Sequence, residues 1–214
     1  MNKVLMGIIV SAIAAAAGAE PLKDIALLAP RKEGGKPLMQ ALAARCSTRD
    51  FSPRKLDSQT LANLLWAANG INRDSGMRTA PSTMNWQEIE VYAVLEEGTF
   101  LYDPKANGLK VAVEGDLRKL TGLQGFAATA PLNLVFVADT TRMKGAQLLD
   151  LEKWSYCDAG FVSQNVYLFC ASEGLVTVVR GLLNHKALAQ AMKLPETKKV
   201  LLAQTVGYPA DAKP

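Results

Sequence analysis

The chain has 214 residues, 49% of them hydrophobic and 21% charged, with a formal net charge of +4. That length and balance fit one globular domain able to bury a core without disulfides or a metal. A charge so mild and so dispersed argues against a nucleic-acid surface.

The chain opens on a segment unlike the rest. Lys3 is followed by an apolar run of 14 residues, Val4 to Ala17, and then by Ala17-Gly18-Ala19 before Glu20. A basic head, a short apolar middle and a small-x-small end describe a secretory signal peptide cut after Ala19. An uncleaved anchor is the alternative, but the run is short of the ~20 residues a spanning helix needs. The expectation is therefore residues 1–19 as leader and 20–214 as one domain, exported to the periplasm without a stable membrane anchor. The leader holds a single basic residue and no acidic one, so the 24 basic residues fall to 23 against 20 acidic, a net +3.

Glu20 to Lys36 is weakly patterned and reads as an arm. Pro37 to Arg45 (PLMQALAAR) has helical spacing and stops at Cys46-Ser47-Thr48-Arg49. Asp57 or Ser58 caps a second helix with Leu61, Leu64, Leu65 and Ala68 on its apolar face, ending at Asn69-Gly70. A polar loop covers Asn72 to Gln87. Ile89 to Leu95 and Thr99 to Asp103 are strand-like, and Asn107-Gly108 turns the chain into Leu109 to Val113. Pro131 to Ala138 (PLNLVFVA) reads as a buried strand. The longest helix spans Gln147 to Gly174, with Phe161, Val162, Val166, Phe169 and Cys170 as its apolar face. Strands at Leu175–Val179 and Lys199–Val206 enclose a short helix near Lys186–Met192. Segregated strands and helices of this kind make an α+β fold.

Catalytic side chains are scarce. His185 is the only histidine, and Cys46, Cys157 and Cys170 are the only cysteines. A His/Cys zinc site or a Ser-His-Asp mechanism is therefore improbable, and no metal is expected. Cys157 and Cys170 lie thirteen positions apart on one expected helix, ~20 Å, beyond disulfide reach. A chain poor in such groups suits chemistry performed by a cofactor.

Four segments carry the candidate chemistry. Arg45-Cys46-Ser47-Thr48-Arg49 sets two guanidiniums and a hydroxyl at a helix end, suited to a phosphate and a second anionic centre. Alone, it reads first as a solvated basic helix end. Ala80-Pro81-Ser82-Thr83-Met84-Asn85-Trp86-Gln87 is dense in amides and hydroxyls that match a heteroaromatic edge, or is an ordinary turn. Asp158-Ala159-Gly160 through Gln164-Asn165 reads as structural polar groups inside the long helix. Val179-Arg180-Gly181 ends a strand where Gly181 lets backbone approach a ligand.

Taken in order, with Gly174-Leu175 and Gly207-Tyr208-Pro209, these segments resemble the FMN-dependent nitroreductase family over Lys36 to Pro209. Asn69-Gly70-Ile71-Asn72-Arg73, Arg78-Thr79-Ala80-Pro81-Ser82 and Val91-Tyr92 look closest to its azoline-dehydrogenase-like branch. The resemblance implies a mixed sheet flanked by helices, a homodimer, and FMN as cofactor. It implies that Arg45 and Ser47, with Cys46 between them, hold the phosphate and ribityl chain, and that Arg49 tunes flavin N1–O2. Ser82, Asn85 and Gln87 would reach the flavin from the partner subunit, and Arg180 and Gly181 would lie near N5, the atom that carries the chemistry. The family often has Pro after the loop glutamine and Gly before its asparagine, where this chain has Glu88 and Met84. Many members add a basic residue soon after Gly-x-Pro, for which only Lys213 is available here. The implied activity is oxidation of an unnamed donor and reduction of a quinone- or nitroaromatic-like acceptor. The alternatives are a flavin dehydrogenase acting on a ring or peptide substrate, and an exported flavin- or partner-binding protein without turnover.

Overall fold

The computed structural model describes residues 20–146 and 148–210. The expected leader, 1–19, and Lys213 lie outside the described residues.

Seven strands form one sheet: β1 (Ile25–Ala26), β2 (Ile89–Val94), β3 (Gly98–Asp103), β4 (Gly108–Glu114), β5 (Leu132–Asp139), β6 (Val176–Arg180) and β7 (Lys198–Gly207). Their order is β1-β4-β3-β2-β5-β7-β6. The α+β class holds. The sheet expected as mixed is antiparallel in each of its pairings.

Local chemistry explains the hairpins and helix ends. Between β3 and β4 the Asp103 carboxylate accepts the N–H groups of Lys105 and Ala106 at 2.9 and 3.1 Å, closing the turn that the left-handed Asn107 completes. The second helix, α2 (Ser58–Asn69), starts at Asp57, whose carboxylate accepts the Thr60 N–H at 2.9 Å. Such a cap is worth about 1 kcal/mol. Gly70 closes it by donating to the Trp66 carbonyl.

Strand β5 is buried along its whole length. Leu132, Leu134, Phe136 and Ala138 face one layer with Leu64, Leu65, Val162 and Val166 from α2 and the long helix α4 (Leu148–Glu173). Val135 and Val137 face the other, against Leu188 of α5 (His185–Ala191) and Met192. A strand covered on both faces reads as the continuous apolar run seen in the sequence. Each fully buried leucine contributes roughly 2–3 kcal/mol. The remaining helices are α1 (Leu38–Ala44), which packs on α4, and the single turn α3 (Phe126–Thr129).

Two expectations need correction. The arm is not featureless: Ile25 and Ala26 pair with Leu109 and Gly108 as an edge strand, and Asp24 accepts the Val111 N–H. Phe161 is not part of the apolar face of α4 but 43% exposed, while Val162, Val166 and Cys170 are buried. The alternation of 3.6-residue turns puts Phe161 one position off the buried stripe. All three cysteines are free thiols, Cys46 and Cys157 exposed and Cys170 buried.

Candidate functional site

Helix α1 ends at Arg45, whose N–H still donates to the Ala41 carbonyl although its own ψ of 121° is no longer helical. The chain then runs along β6, the outermost strand. Alternation along that strand turns the backbone of Thr177, Val179 and Gly181 toward the free edge. The Thr177 carbonyl accepts the Thr48 N–H at 3.0 Å. The Val179 N–H donates to the Tyr167 hydroxyl at 3.0 Å, and that hydroxyl bonds Ser47 Oγ at 2.8 Å. The Gly181 N–H has no backbone acceptor among the described residues.

The Arg45 guanidinium stacks over the Tyr167 ring, 5.2 Å from its centre. Neither Arg45 nor Arg49 forms a salt bridge among the described residues, and Arg49 is exposed. Cys46 is exposed, its Sγ 3.5 Å from Thr48 Oγ1. Tyr167 was not singled out in the sequence, where it reads as one more aromatic beside the apolar stripe of α4. Only the fold shows that its hydroxyl joins the Arg45–Arg49 segment to β6.

Arg180 sits in a different setting from the other two arginines. Its side chain is 5% exposed, and Nη1 donates to the Thr121 carbonyl at 2.9 Å. Nη2 donates to Asn133 Oδ1 and Thr205 Oγ1 at 2.8 and 2.7 Å, and the Phe126 ring lies 5.4 Å away. Burial lowers its pKa to about 10, so it stays cationic at neutral pH without a carboxylate beside it. Gly122 makes room for it: a Cβ there would lie 1.7 Å from Nη1. The Arg180 side chain is thus committed to the interior, and what this stretch offers a ligand is backbone. Gly181 is exposed, with the nearest contact to an added Cβ at 3.7 Å.

The Ser82–Gln87 loop is held by its own groups. Met84, Asn85 and Gln87 all have left-handed φ, at 51°, 54° and 51°. For Met and Gln this is costly, ~1–3 kcal/mol each, and persists only where neighbours enforce it. Here Asp158 accepts the Thr83 N–H at 2.7 Å and the Thr83 hydroxyl at 3.1 Å. Ser82 Oγ accepts the Gln87 N–H, and Gln87 Nε2 donates to Asn85 Oδ1. The Met84 side chain stands 80% exposed at the tip.

Asp158 and Tyr167 are nine residues apart on α4, ~13.5 Å along its axis. One chain therefore joins Arg45, Cys46, Ser47, Arg180 and Gly181 in one area, with Arg49 just beyond, and anchors Ser82, Asn85 and Gln87 elsewhere. Of the polar groups expected inside α4, Asp158 is buried, Asn165 donates weakly to the Ala68 carbonyl at 3.5 Å, and Gln164 is exposed. Glu88, directly after the loop, is fully buried, and neither carboxyl oxygen has a partner among the described residues. Burial, reinforced by the nearby Asp158, pushes it up to about 7. Among the described residues no group of His, Cys, Asp and Glu could hold a metal, and no helix is long and apolar enough to cross a membrane.

An antiparallel sheet with a basic helix end laid along its open edge defines a recognisable class. Residues 42–208 match the Nitroreductase family, and the chain belongs to it. A protein of Methanocaldococcus jannaschii assigned to the nitroreductases is 28% identical over 178 residues, covering 77% of this chain and 88% of that protein. A crystal structure from Ralstonia eutropha JMP134, likewise assigned as a nitroreductase, is 43% identical with a TM-score of 0.86, covering 92% of this chain and 94% of the other. The NADPH:FMN oxidoreductase from Vibrio harveyi, complexed with NAD+, shares the fold at 22% identity and a TM-score of 0.62, covering 83% and 72% of the two chains. The family's members are flavin-dependent oxidoreductases, and membership in it marks the chain as an oxidoreductase.

Proposed function

We infer that the protein binds FMN along the free edge of β6 and uses it to pass electrons from a donor to a quinone- or nitroaromatic-like acceptor. The observation that carries this reading is the Gly181 N–H. It is exposed at the end of β6 with no backbone acceptor among the described residues, and the segment carrying Arg45 and Arg49, neither paired with a carboxylate among those residues, is bonded to the same strand. That donor set fits a ligand with a phosphate at one end and a hydrogen-bond-accepting ring at the other. The Vibrio harveyi relative, whose name includes FMN, supports the choice of cofactor.

When bound, FMN supplies the redox chemistry at N5. Arg45 and Ser47, flanking Cys46, hold the phosphate and ribityl end. Arg49 lies toward N1–O2, where its charge favours the negative charge that builds on reduction. Gly181 brings a backbone donor toward N5, with Arg180 fixing the strand end from inside. Ser82, Asn85 and Gln87 serve the flavin of a partner subunit, which requires a homodimer. Export after removal of residues 1–19 completes the proposal. Light scattering of the FMN-loaded protein and the intact mass of the exported chain test those two parts.

The decisive experiment is the visible spectrum of the purified protein, which should show flavin bands, followed by two substitutions. Arg45→Ala should weaken FMN binding about tenfold to a hundredfold, because a charge-assisted hydrogen bond is worth ~1.5–3 kcal/mol. Arg49→Ala should lower the flavin potential with a smaller effect on binding of oxidised FMN. Equal loss of FMN in both variants with no change in potential removes Arg49 from the N1–O2 edge. A flavin-free protein defeats the proposal. The azoline-dehydrogenase-like look of Arg78–Ser82 favours a second reading, oxidation of a ring or peptide substrate, which would appear as substrate-driven bleaching of the flavin. Bound flavin with no turnover of either kind would leave the binding protein.

A further inference from the structure

A cavity of about 510 Å³ lies between the Ser82–Gln87 loop, the end of α2 and the strands β2 to β4, within the range of small-molecule sites. Most charged groups around it are satisfied. Arg142 pairs with Glu90 at 2.7 Å and Asp139 at 3.1 Å, and Lys110 pairs with Asp103 at 2.6 Å. Lys105 is exposed at the rim.

Arg78 is the exception. Its Nε donates to Gln87 Oε1 and its Nη1 to the Asn69 carbonyl, both at 3.0 Å, and it has no carboxylate partner among the described residues. Nη2, with two N–H groups, makes no hydrogen bond among those residues. Burial and the like charge of Arg142 lower its pKa, as expected of a guanidinium lacking a counter-charge. Tyr102 lines the same cavity, its ring largely buried, and its hydroxyl makes no hydrogen bond among the described residues. Burial pushes that phenol up to about 12 against the pull of Arg78, so it remains a proton donor at any physiological pH. Trp86, Val91 and Leu101 supply apolar wall.

We propose that this cavity is a second ligand site, distinct from the β6 edge, which takes a small organic monocarboxylate with an apolar or aromatic body. The carboxylate would accept from Arg78 Nη2 and from the Tyr102 hydroxyl, and the body would lie against Trp86, Val91 and Leu101. A monoanion fits better than a phosphate dianion, because one unpaired guanidinium faces the space while Glu90 and Asp103 also border it.

The test is calorimetric titration of the full protein with benzoate, benzamide and inorganic phosphate. Benzoate should bind saturably, and benzamide, the neutral analogue of similar shape, about tenfold or more weakly. Arg78→Gln should abolish benzoate binding, and Tyr102→Phe should weaken it about tenfold. Arg78 also braces the loop, so if Arg78→Gln fails to fold, Tyr102→Phe decides, since it removes one oxygen and keeps the ring. Benzamide binding as tightly as benzoate overturns the proposal. So does phosphate binding more tightly than benzoate, or a benzoate affinity indifferent to Tyr102→Phe.

Discussion

Arg45 and Arg180 belong to neighbouring segments, yet the fold treats them in opposite ways. Arg45, half-buried, rests its guanidinium on the Tyr167 ring and forms no side-chain hydrogen bond or salt bridge among the described residues. Arg180 places its own under the sheet and commits Nη1 and Nη2 to Thr121, Asn133 and Thr205. The difference teaches that an arginine's value to a ligand lies in the donors left over after folding. A buried guanidinium with both Nη atoms engaged shapes the strand that meets the ligand, while one that folding leaves uncommitted is free to meet it.

Arg180→Met should break the comparison most strongly. It strands the Thr121 carbonyl in the interior, at about 1–3 kcal/mol, and takes from Asn133 Oδ1 one of its two donors, the Thr205 hydroxyl remaining. A loss of about 3–4 kcal/mol is expected by urea unfolding, enough to depress the yield of folded protein. A loss below 1 kcal/mol would mean that the network is replaceable.

Glu88 extends the comparison to a buried group whose carboxyl oxygens have no hydrogen-bond partner among the described residues. Its pKa rises from the ordinary 4.5 to about 7, mainly through burial. The folded state thus holds the proton more tightly than the unfolded chain. Stability is full below pH 4.5, falls as the pH rises toward 7, and is flat above it. The total is on the order of 3 kcal/mol. Glu88→Gln should flatten that slope, changing little at pH 5 and raising stability by roughly 2 kcal/mol at pH 8. Parallel pH profiles for the two proteins would show that the carboxyl is solvated in solution.

The smallest effect on folding is expected at Arg45. Arg45→Ala should change stability by no more than about 0.5 kcal/mol, as for most surface substitutions. Paired with the large expected loss of FMN affinity, that result would separate binding from folding at one position. A destabilisation comparable to that of Arg180→Met would erase the distinction.

Most of the fold could be read from local pattern. PLNLVFVA is apolar on both faces apart from Asn133, and it became the interior strand β5. Asp57 stands where a helix cap must stand, and Asn107-Gly108 turns β3 into β4. What local pattern does not carry is partnership across the sheet. Ile25–Ala26 is too short to announce a strand, and only its register against Leu109 and Gly108 makes it one. The same holds at the candidate site. Arg45, Ser47 and Gly181 stood out as residue types, but the hydroxyl that joins their segments belongs to Tyr167, 120 positions from Ser47. Arg180 looked like a ligand-facing residue because sequence cannot tell which side of a strand its side chain enters. Glu88 was noticed only as a departure from the family's proline, and its burial beside Asp158 depends on how α4 crosses the loop.

The edge position of β6 has a consequence outside catalysis. An uncovered outer strand presents a row of amides and carbonyls on which another chain can build. In this molecule the Thr48 N–H and the Tyr167 hydroxyl occupy two of the outward positions on that strand, leaving the Gly181 amide near its end. The contacts that frame the candidate site thereby also blunt the sheet against strand-to-strand aggregation. Damage to Tyr167 or to the Ser47–Thr48 segment would threaten solubility as well as recognition.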